Sequence, residues 1–362
     1  MDGCQRDTTL VFLRVHTPCW VYPIAEPIRL LQCLPSLRHL TLIPPTLEKD
    51  MLDGLALESL KLYLPVFYGS DPNRHHVVGG SMAGKIVFQV AEGCLWITPS
   101  LQKLNLSGLR AVTGRELLHS FPMTQHGSSS VTGLIFEDCN YVPGPTLEHF
   151  LLSSRTLKRF VFEVCTHINF ARPVWYFSVT TYHLYHGLSA HKDSLEELVI
   201  SQGYHETSPP DWRLGSLADF TRLKRLALPR TLLFQDRPLH SLLPPNLEEM
   251  QLHYSNAMIA ITPFGIRYER RLWLQDFGNL AGLKILKFPR LKAVSFWHQH
   301  YIRKEPAENG IYWSGYGSKL ELQAIEEHFE VVRVEFDFRE TLNFKETIFG
   351  RRFLNLEYEV QS

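Results

Sequence analysis

The sequence predicts an α/β solenoid of about eleven irregular strand–helix repeats, and three observations predict it. A short pattern, Leu-x-x-Leu-x-Leu, returns along almost the whole chain. The last two apolar positions of each copy alternate with polar residues, as a strand with one buried face requires. Proline stands directly after or before many copies, as in Leu228-Pro229, Phe288-Pro289, Leu34-Pro35 and Pro245-Asn246-Leu247. Proline is costly inside a helix, and the residue before it prefers an extended backbone. One such strand cannot bury its apolar side alone, so neighbouring copies must stack.

The clearest copies are Leu37 to Leu42, Leu57 to Leu62, Leu101 to Leu106, Leu195 to Ile200, Leu223 to Leu228, Leu247 to Leu252 and Leu283 to Phe288. Looser copies run from Leu10 to Val15, Val131 to Phe136, Leu157 to Phe162 and Val331 to Phe336. Their second anchors are Leu13, Leu40, Leu60, Leu104, Leu134, Phe160, Leu198, Leu226, Met250, Leu286 and Val334. Most of the spacings lie in or near the roughly 20–29 residues of a regular leucine-rich repeat. The longer ones read as insertions on the connecting side. Short helices are predicted over 47–57, 83–91, 145–152 and 178–191. The repeats span residues 1–340 as one elongated domain, with 341–362 as a C-terminal cap or tail. Phe344, Ile348, Phe349, Phe353 and Leu354 favour the cap, because the last repeat must cover its open apolar end.

With 362 residues, 44% of them hydrophobic, the chain can bury a substantial core. Its 37 basic and 37 acidic side chains give a formal net charge of zero, so no global field recruits nucleic acid or an anionic membrane. The start MDGCQRDTTL lacks the apolar stretch of a signal peptide, and no apolar run approaches membrane-spanning length. The six cysteines form no Cys-x-x-Cys pair. That is sparse for a disulfide scaffold and wrong for a zinc site, so a reduced cytoplasmic or nuclear protein is expected.

The phrases LLQCLPSLRHLTL (30–42), LALESLKLYLP (55–65), TLKRFVFEV (156–164), DSLEELVIS (193–201), DFTRLKRLALP (219–229) and LLPPNLEEMQLHY (242–254) resemble the leucine-rich-repeat region of filamentous-fungal F-box/leucine-rich-repeat proteins. The likeness covers roughly residues 8–300. It implies that the repeats select a target protein, while an F-box docks them onto the cullin adaptor of a ubiquitin ligase. The first copy starts at Leu10, which leaves too little chain before it for that module. The adaptor is therefore expected as a partner only if an F-box exists upstream. The family's ladder asparagine is mostly replaced, with Leu109 and Thr231 at its position and Cys139 as one accepted variant, so an irregular horseshoe is expected.

The predicted partner surface is the concave face, where residues between the apolar anchors point away from the core. Its middle column is Arg14, Thr41, Lys61, Asn105, Ile135, Val161, Val199, Ala227, Gln251, Lys287 and Glu335. The column is apolar from Ile135 to Ala227 and polar at both ends. An apolar stripe with a polar rim suits a protein partner, unless the long insertions fold over it and bury it. The insertion 295–318 is a secondary candidate, with Trp297, Tyr301, Arg303, Tyr312 and Trp313 as the side chains favoured at binding hot spots. Packing that loop onto the solenoid flank is the alternative.

No catalytic constellation is complete. Gly79 to Ile86 nearly spells a phosphate-binding loop, but Ile86 stands where a Ser or Thr must ligate magnesium. His183-x-x-His186, with His191 beyond, sets two imidazoles on one helical face without a third ligand at a useful spacing. Within Glu196-Glu197 and Glu248-Glu249 the two side chains point to opposite faces, which suits no acid–base couple. The sequence thus predicts a non-enzymatic protein-recognition module without cofactor, nucleic-acid or membrane partner. A stand-alone scaffold or inhibitor is the alternative, and a nucleotide- or metal-dependent enzyme the remote one.

Overall fold

The computed structural model describes residues 12–16, 37–43, 56–63, 100–107, 126–139, 142, 144–164, 181–201, 214–229, 232–233, 237–255, 263–299 and 319–340. The chain forms two compact units, Met1–His191 and Lys192–Ser362. Among the described residues both are α/β, with parallel strands hydrogen-bonded in sequence order.

The first unit holds β1 (Phe12–His16), β2 (His39–Ile43), β3 (Ser59–Tyr63), β4 (Lys103–Ser107), β5 (Gly133–Cys139) and β6 (Arg159–Val164). Helices α1 (Gly144–Ser153) and α2 (Thr181–Ser189) follow β5 and β6. The second unit holds β7 (Glu197–Ser201), β8 (Arg225–Pro229), β9 (Glu249–Ser255), β10 (Ala293–Gln299) and β11 (Glu335–Glu340). Between them lie the single turn α3 (Leu239–Leu242), the long α4 (Pro263–Lys287) and α5 (Lys319–Val331). Parallel neighbours cannot be joined by a hairpin, and the described helices lie in the crossover connections after β5, β6, β8, β9 and β10.

The anchors stand in register. Leu13, Leu40, Leu60, Leu104, Leu134 and Phe160 pair in turn across the first unit. Leu198, Leu226, Met250, Val294 and Phe336 do so across the second. Seven strands, β3 to β6 and β8 to β10, are joined to the one before by the same local device, in which two successive amides donate to one carbonyl. Gln102 and Lys103 donate to Glu58 O, Lys158 and Arg159 to Thr132 O, Lys224 and Arg225 to Glu196 O, and Lys292 and Ala293 to Glu248 O. The leading anchors Leu37, Leu57, Leu101, Val131, Leu157, Leu195, Leu223, Leu247 and Leu291 are all buried.

Aromatic side chains fill the core behind each sheet. In the first unit the Phe136 ring lies 5.9–6.3 Å from those of Phe150, Phe160 and Phe162. In the second, Phe277 of α4, Phe329 of α5 and Phe336 of β11 meet at 5.1–6.3 Å. Cys139, the variant at the ladder position, is fully buried with Sγ 3.6 Å from Leu106 O on the preceding strand.

Two predicted copies are corrected. Leu283 to Phe288 is not a strand: Leu283 to Lys287 form the last turn of α4, and Ile285 and Leu286 are 74% and 83% exposed. The tenth strand lies further on, where Leu291-Lys292-Ala293-Val294-Ser295-Phe296 repeats the pattern. The helix ends just before Pro289, which cannot continue it. The eleventh copy is displaced by two residues, with Phe336 and not Val334 opposite Val294, and Val331 closing α5. Of the predicted helices, 145–152 and 178–191 correspond to α1 and α2. The helix over 83–91, nearly all of that over 47–57, and the cap over 341–362 lie outside the described residues.

Candidate partner-binding face

Period-two alternation places every second residue of a strand on the face opposite the anchors. Arg14, Thr41, Lys61, Asn105, Ile135 and Val161 pair in one row across β1 to β6. Val199, Ala227 and Gln251 form the corresponding row in β7 to β9. The row then runs to Ser295 and Asp337. Lys287 and Glu335 therefore leave the predicted column. Lys287 ends α4, with its Nζ 2.6 Å from His240 O, and Glu335 pairs with Ala293 two residues before the row.

The row is not an open apolar stripe. Asn105, Ile135, Val161, Val199, Ala227, Gln251 and Ser295 are all buried. Thr41 and Lys61 are half-buried. Lys61 reaches across β4 to Glu137 on β5, Nζ to Oε2 2.8 Å. Under that bridge Asn105 is only 5% exposed, and neither atom of its amide has a hydrogen-bond partner.

Exposure begins at the strand starts. In the second unit, Glu196, Lys224, Glu248 and Lys292 follow one another immediately before their strands. Lys224 pairs with Glu196 at 2.7 Å and Lys292 with Glu248 at 2.5 Å. The Lys292 hydrogen bond holds the Glu248 carboxyl below its usual range, against a smaller opposing effect of burial. One residue later, Arg225 donates to the buried carboxylate of Glu197 at 2.6 Å. Each member of the Glu196-Glu197 pair thus has its own cation, on its own side of the strand. In the first unit the same positions hold Arg38 and Glu58, paired at 3.6 Å, then Gln102, Thr132 and Lys158.

The secondary candidate divides differently from the expectation. Trp297 is a residue of β10, opposite Arg339 of β11, and not of a loop. Tyr301, Arg303, Tyr312 and Trp313 lie outside the described residues, as does the Gly79 to Ile86 segment.

The histidine motif gains a carboxylate that the sequence did not offer. Glu148 of α1 accepts from Nδ1 of both His183 and His186 of α2, the latter at 2.6 Å. Tyr182 stacks on the His186 ring at 5.9 Å. A carboxylate can only accept, so both imidazoles carry a proton on Nδ1. The arrangement clips α2 to α1. Among the described residues, no group of three or more His, Cys, Asp or Glu side chains is placed to hold a metal ion.

His191 has a different task. It is buried, its Nε2 donates to Leu151 O at 2.7 Å, and its Nδ1 accepts the Leu157 amide at 3.3 Å. Burial lowers its pKa, and the bond to Leu151 offsets part of that effect. A neutral imidazole thereby ties the end of α1 to the start of β6.

Among the described residues no helix is long and apolar enough to cross a membrane. No protein-family model and no curated protein sequence matches this chain.

Proposed function

We propose that the chain is a leucine-rich-repeat solenoid that acts as a non-enzymatic protein-recognition module. In the fullest form of this reading it is the substrate-recognition repeat domain of a ubiquitin-ligase adaptor of F-box type, working in the cytoplasm or nucleus. One observation carries it. Buried anchors pair in register along each unit, and the same two-amide, one-carbonyl device joins strand after strand. A unit repeated in this way builds an extended face and not a single concave pocket, which suits a macromolecular partner.

The contact surfaces of that reading are the leading rows of strand starts, one in each unit, not the buried column behind them. The row of the first unit carries Gln102, Thr132 and Lys158, and that of the second Glu196, Lys224, Glu248 and Lys292, all exposed or half-buried. The chemistry of this row is polar and charged, so it favours selectivity and association rate over raw affinity.

The test is affinity purification of the protein tagged at its own locus, with the co-purifying proteins identified. A stoichiometric protein partner supports recognition, and the cullin adaptor in the same complex supports the ligase role. A partner without the adaptor makes the chain a stand-alone scaffold or inhibitor. No stoichiometric partner overturns the reading.

A further inference from the structure

We propose that the strand-start edge of the second unit, around Glu248, Lys292 and the last turns of α4 and α5, is a contact surface for a second copy of this chain. The inference rests on the reading of the strand-start rows as contact surfaces, and it names the partner of one of them. A helix that joins parallel strands runs back to the edge where the next strand begins. The last turn of α4 reaches Lys292 through a tight turn, in which the Phe288 amide donates to Lys284 O and the Leu291 amide to Phe288 O. Val331 closes α5 shortly before Glu335, whose amide donates to Lys292 O.

That edge carries apolar side chains beside a charged row. Ile285, Leu286 and Val331 are 74%, 83% and 82% exposed, and they are the large apolar side chains that the described residues of this unit leave in water. Apolar groups bordered by charge have the composition of an interface with a polar rim. The rim is the row Glu196, Lys224, Glu248 and Lys292, whose sign alternates from strand to strand. Arg290 in the turn and Glu335 on β11, both exposed, keep the mixed sign at this end of the row.

The alternation selects the occupant. An acidic segment, a basic segment or a nucleic acid gains at one position of the row and loses at the next. A foreign protein would need the same alternation at a strand spacing of about 4.8 Å. A second copy has it by identity. A two-fold axis midway between neighbouring strands sets every charge of an alternating row opposite its opposite, and closed dimers are built on such axes. Placed between β9 and β10, the axis brings Glu248 of each copy opposite Lys292 of the other. The ion pair already present in each copy, Nζ to Oε2 2.5 Å, then joins a ring of four charges, and networks contribute more than isolated surface pairs. Burial of the neighbouring apolar side chains supplies the affinity.

The probe is the full chain itself, followed by sedimentation equilibrium at micromolar concentration and physiological salt. The native protein should approach twice the mass of one chain. Lys292→Glu sets like charges together across the axis, and Leu286→Arg adds a cation to the apolar part; each should weaken self-association about tenfold or more. The E248K/K292E exchange reverses both charges and so keeps them complementary. It should self-associate as the native protein does, yet not pair with fluorescein-labelled native protein, because like charges then meet. Far-ultraviolet circular dichroism confirms that each variant is folded. A monomeric native protein, unchanged association of Lys292→Glu and Leu286→Arg, or a folded E248K/K292E that stays monomeric or pairs equally with the native protein would each overturn the proposal. A monomer leaves the co-purification result untouched, and the absence of a foreign partner leaves the dimer untouched, so the two readings fail separately.

Discussion

Lys61 of β3 and Glu137 of β5 form an ion pair, Nζ to Oε2 2.8 Å, that passes over the intervening strand β4. The two residues are 76 apart in sequence, and both side chains are mostly buried. Removing one partner leaves the other poorly solvated. Glu137→Gln should therefore destabilise the first unit by about 1.5–3 kcal/mol, the range for a hydrogen bond to a charged group. A double-mutant cycle with Lys61→Met, read by chemical denaturation, should return a favourable coupling; additivity would mean that the pair contributes nothing.

Asn105 beneath this bridge should tolerate an apolar replacement. Its amide is buried without a partner, and such a group carries a desolvation cost of roughly 1–3 kcal/mol. Asn105→Leu should hold or raise Tm. A clear drop would show that the amide is satisfied in solution.

Gly187 of α2 lies against Leu151 of α1, and a Cβ there would come within 2.7 Å of Leu151 Cδ1 and 2.8 Å of its Cβ. Alanine is the better helix former by about 1 kcal/mol, yet overpacking typically costs about 1–3 kcal/mol. Gly187→Ala should lower stability in thermal denaturation, since contact with a Cβ cannot be relieved by a rotamer change alone. A gain would mean that the two helices separate easily.

His191 should make the first unit sensitive to acid. Its folded pKa is lowered by burial, while the unfolded chain titrates at the ordinary value near 6.5. As pH falls through that ordinary value the unfolded state gains a proton that the folded state refuses. The stabilisation is thus complete above it and is lost on the way down to the folded pKa. Tm measured from about pH 7.5 to about pH 5.5 should fall, and His191→Gln should flatten the slope relative to the native protein. Identical slopes would remove His191 from the account.

The two leucines Leu226 and Leu286 occupy the same place in the sequence pattern and opposite places in the fold. Leu226 is fully buried on β8, and Leu286 is exposed at the end of α4. Leu226→Ala should cost about 2–5 kcal/mol, and Leu286→Ala no more than about 0.5 kcal/mol. Comparable losses would restore the strand assignment for 283–288.

This contrast marks what the sequence could disclose. Nine of the eleven residues of the predicted column, Arg14 through Gln251, stand where alternation put them, because a period of two admits no one-residue slip without turning every anchor outward. A slip of two keeps both faces unchanged, which is why Val334 passed for Phe336. Leu283 to Phe288 misled for another reason: apolar spacing of three then two also fits a turn of helix, and the buried seam Phe277, Leu280 and Ala281 was the signal that favoured α4. The column's burial, the Lys61–Glu137 bridge and the Glu148 clip join distant segments, and no local pattern encodes them.

The most direct test of the central claim is lysine cross-linking mass spectrometry on the complex recovered by co-purification. The account predicts partner cross-links at Lys103, Lys158, Lys224 and Lys292, on the leading row of strand starts. Cross-links confined to Lys192 after α2 and to Lys284 of α4, with the strand-start lysines silent, would contradict it and move the recognition surface to the helical side.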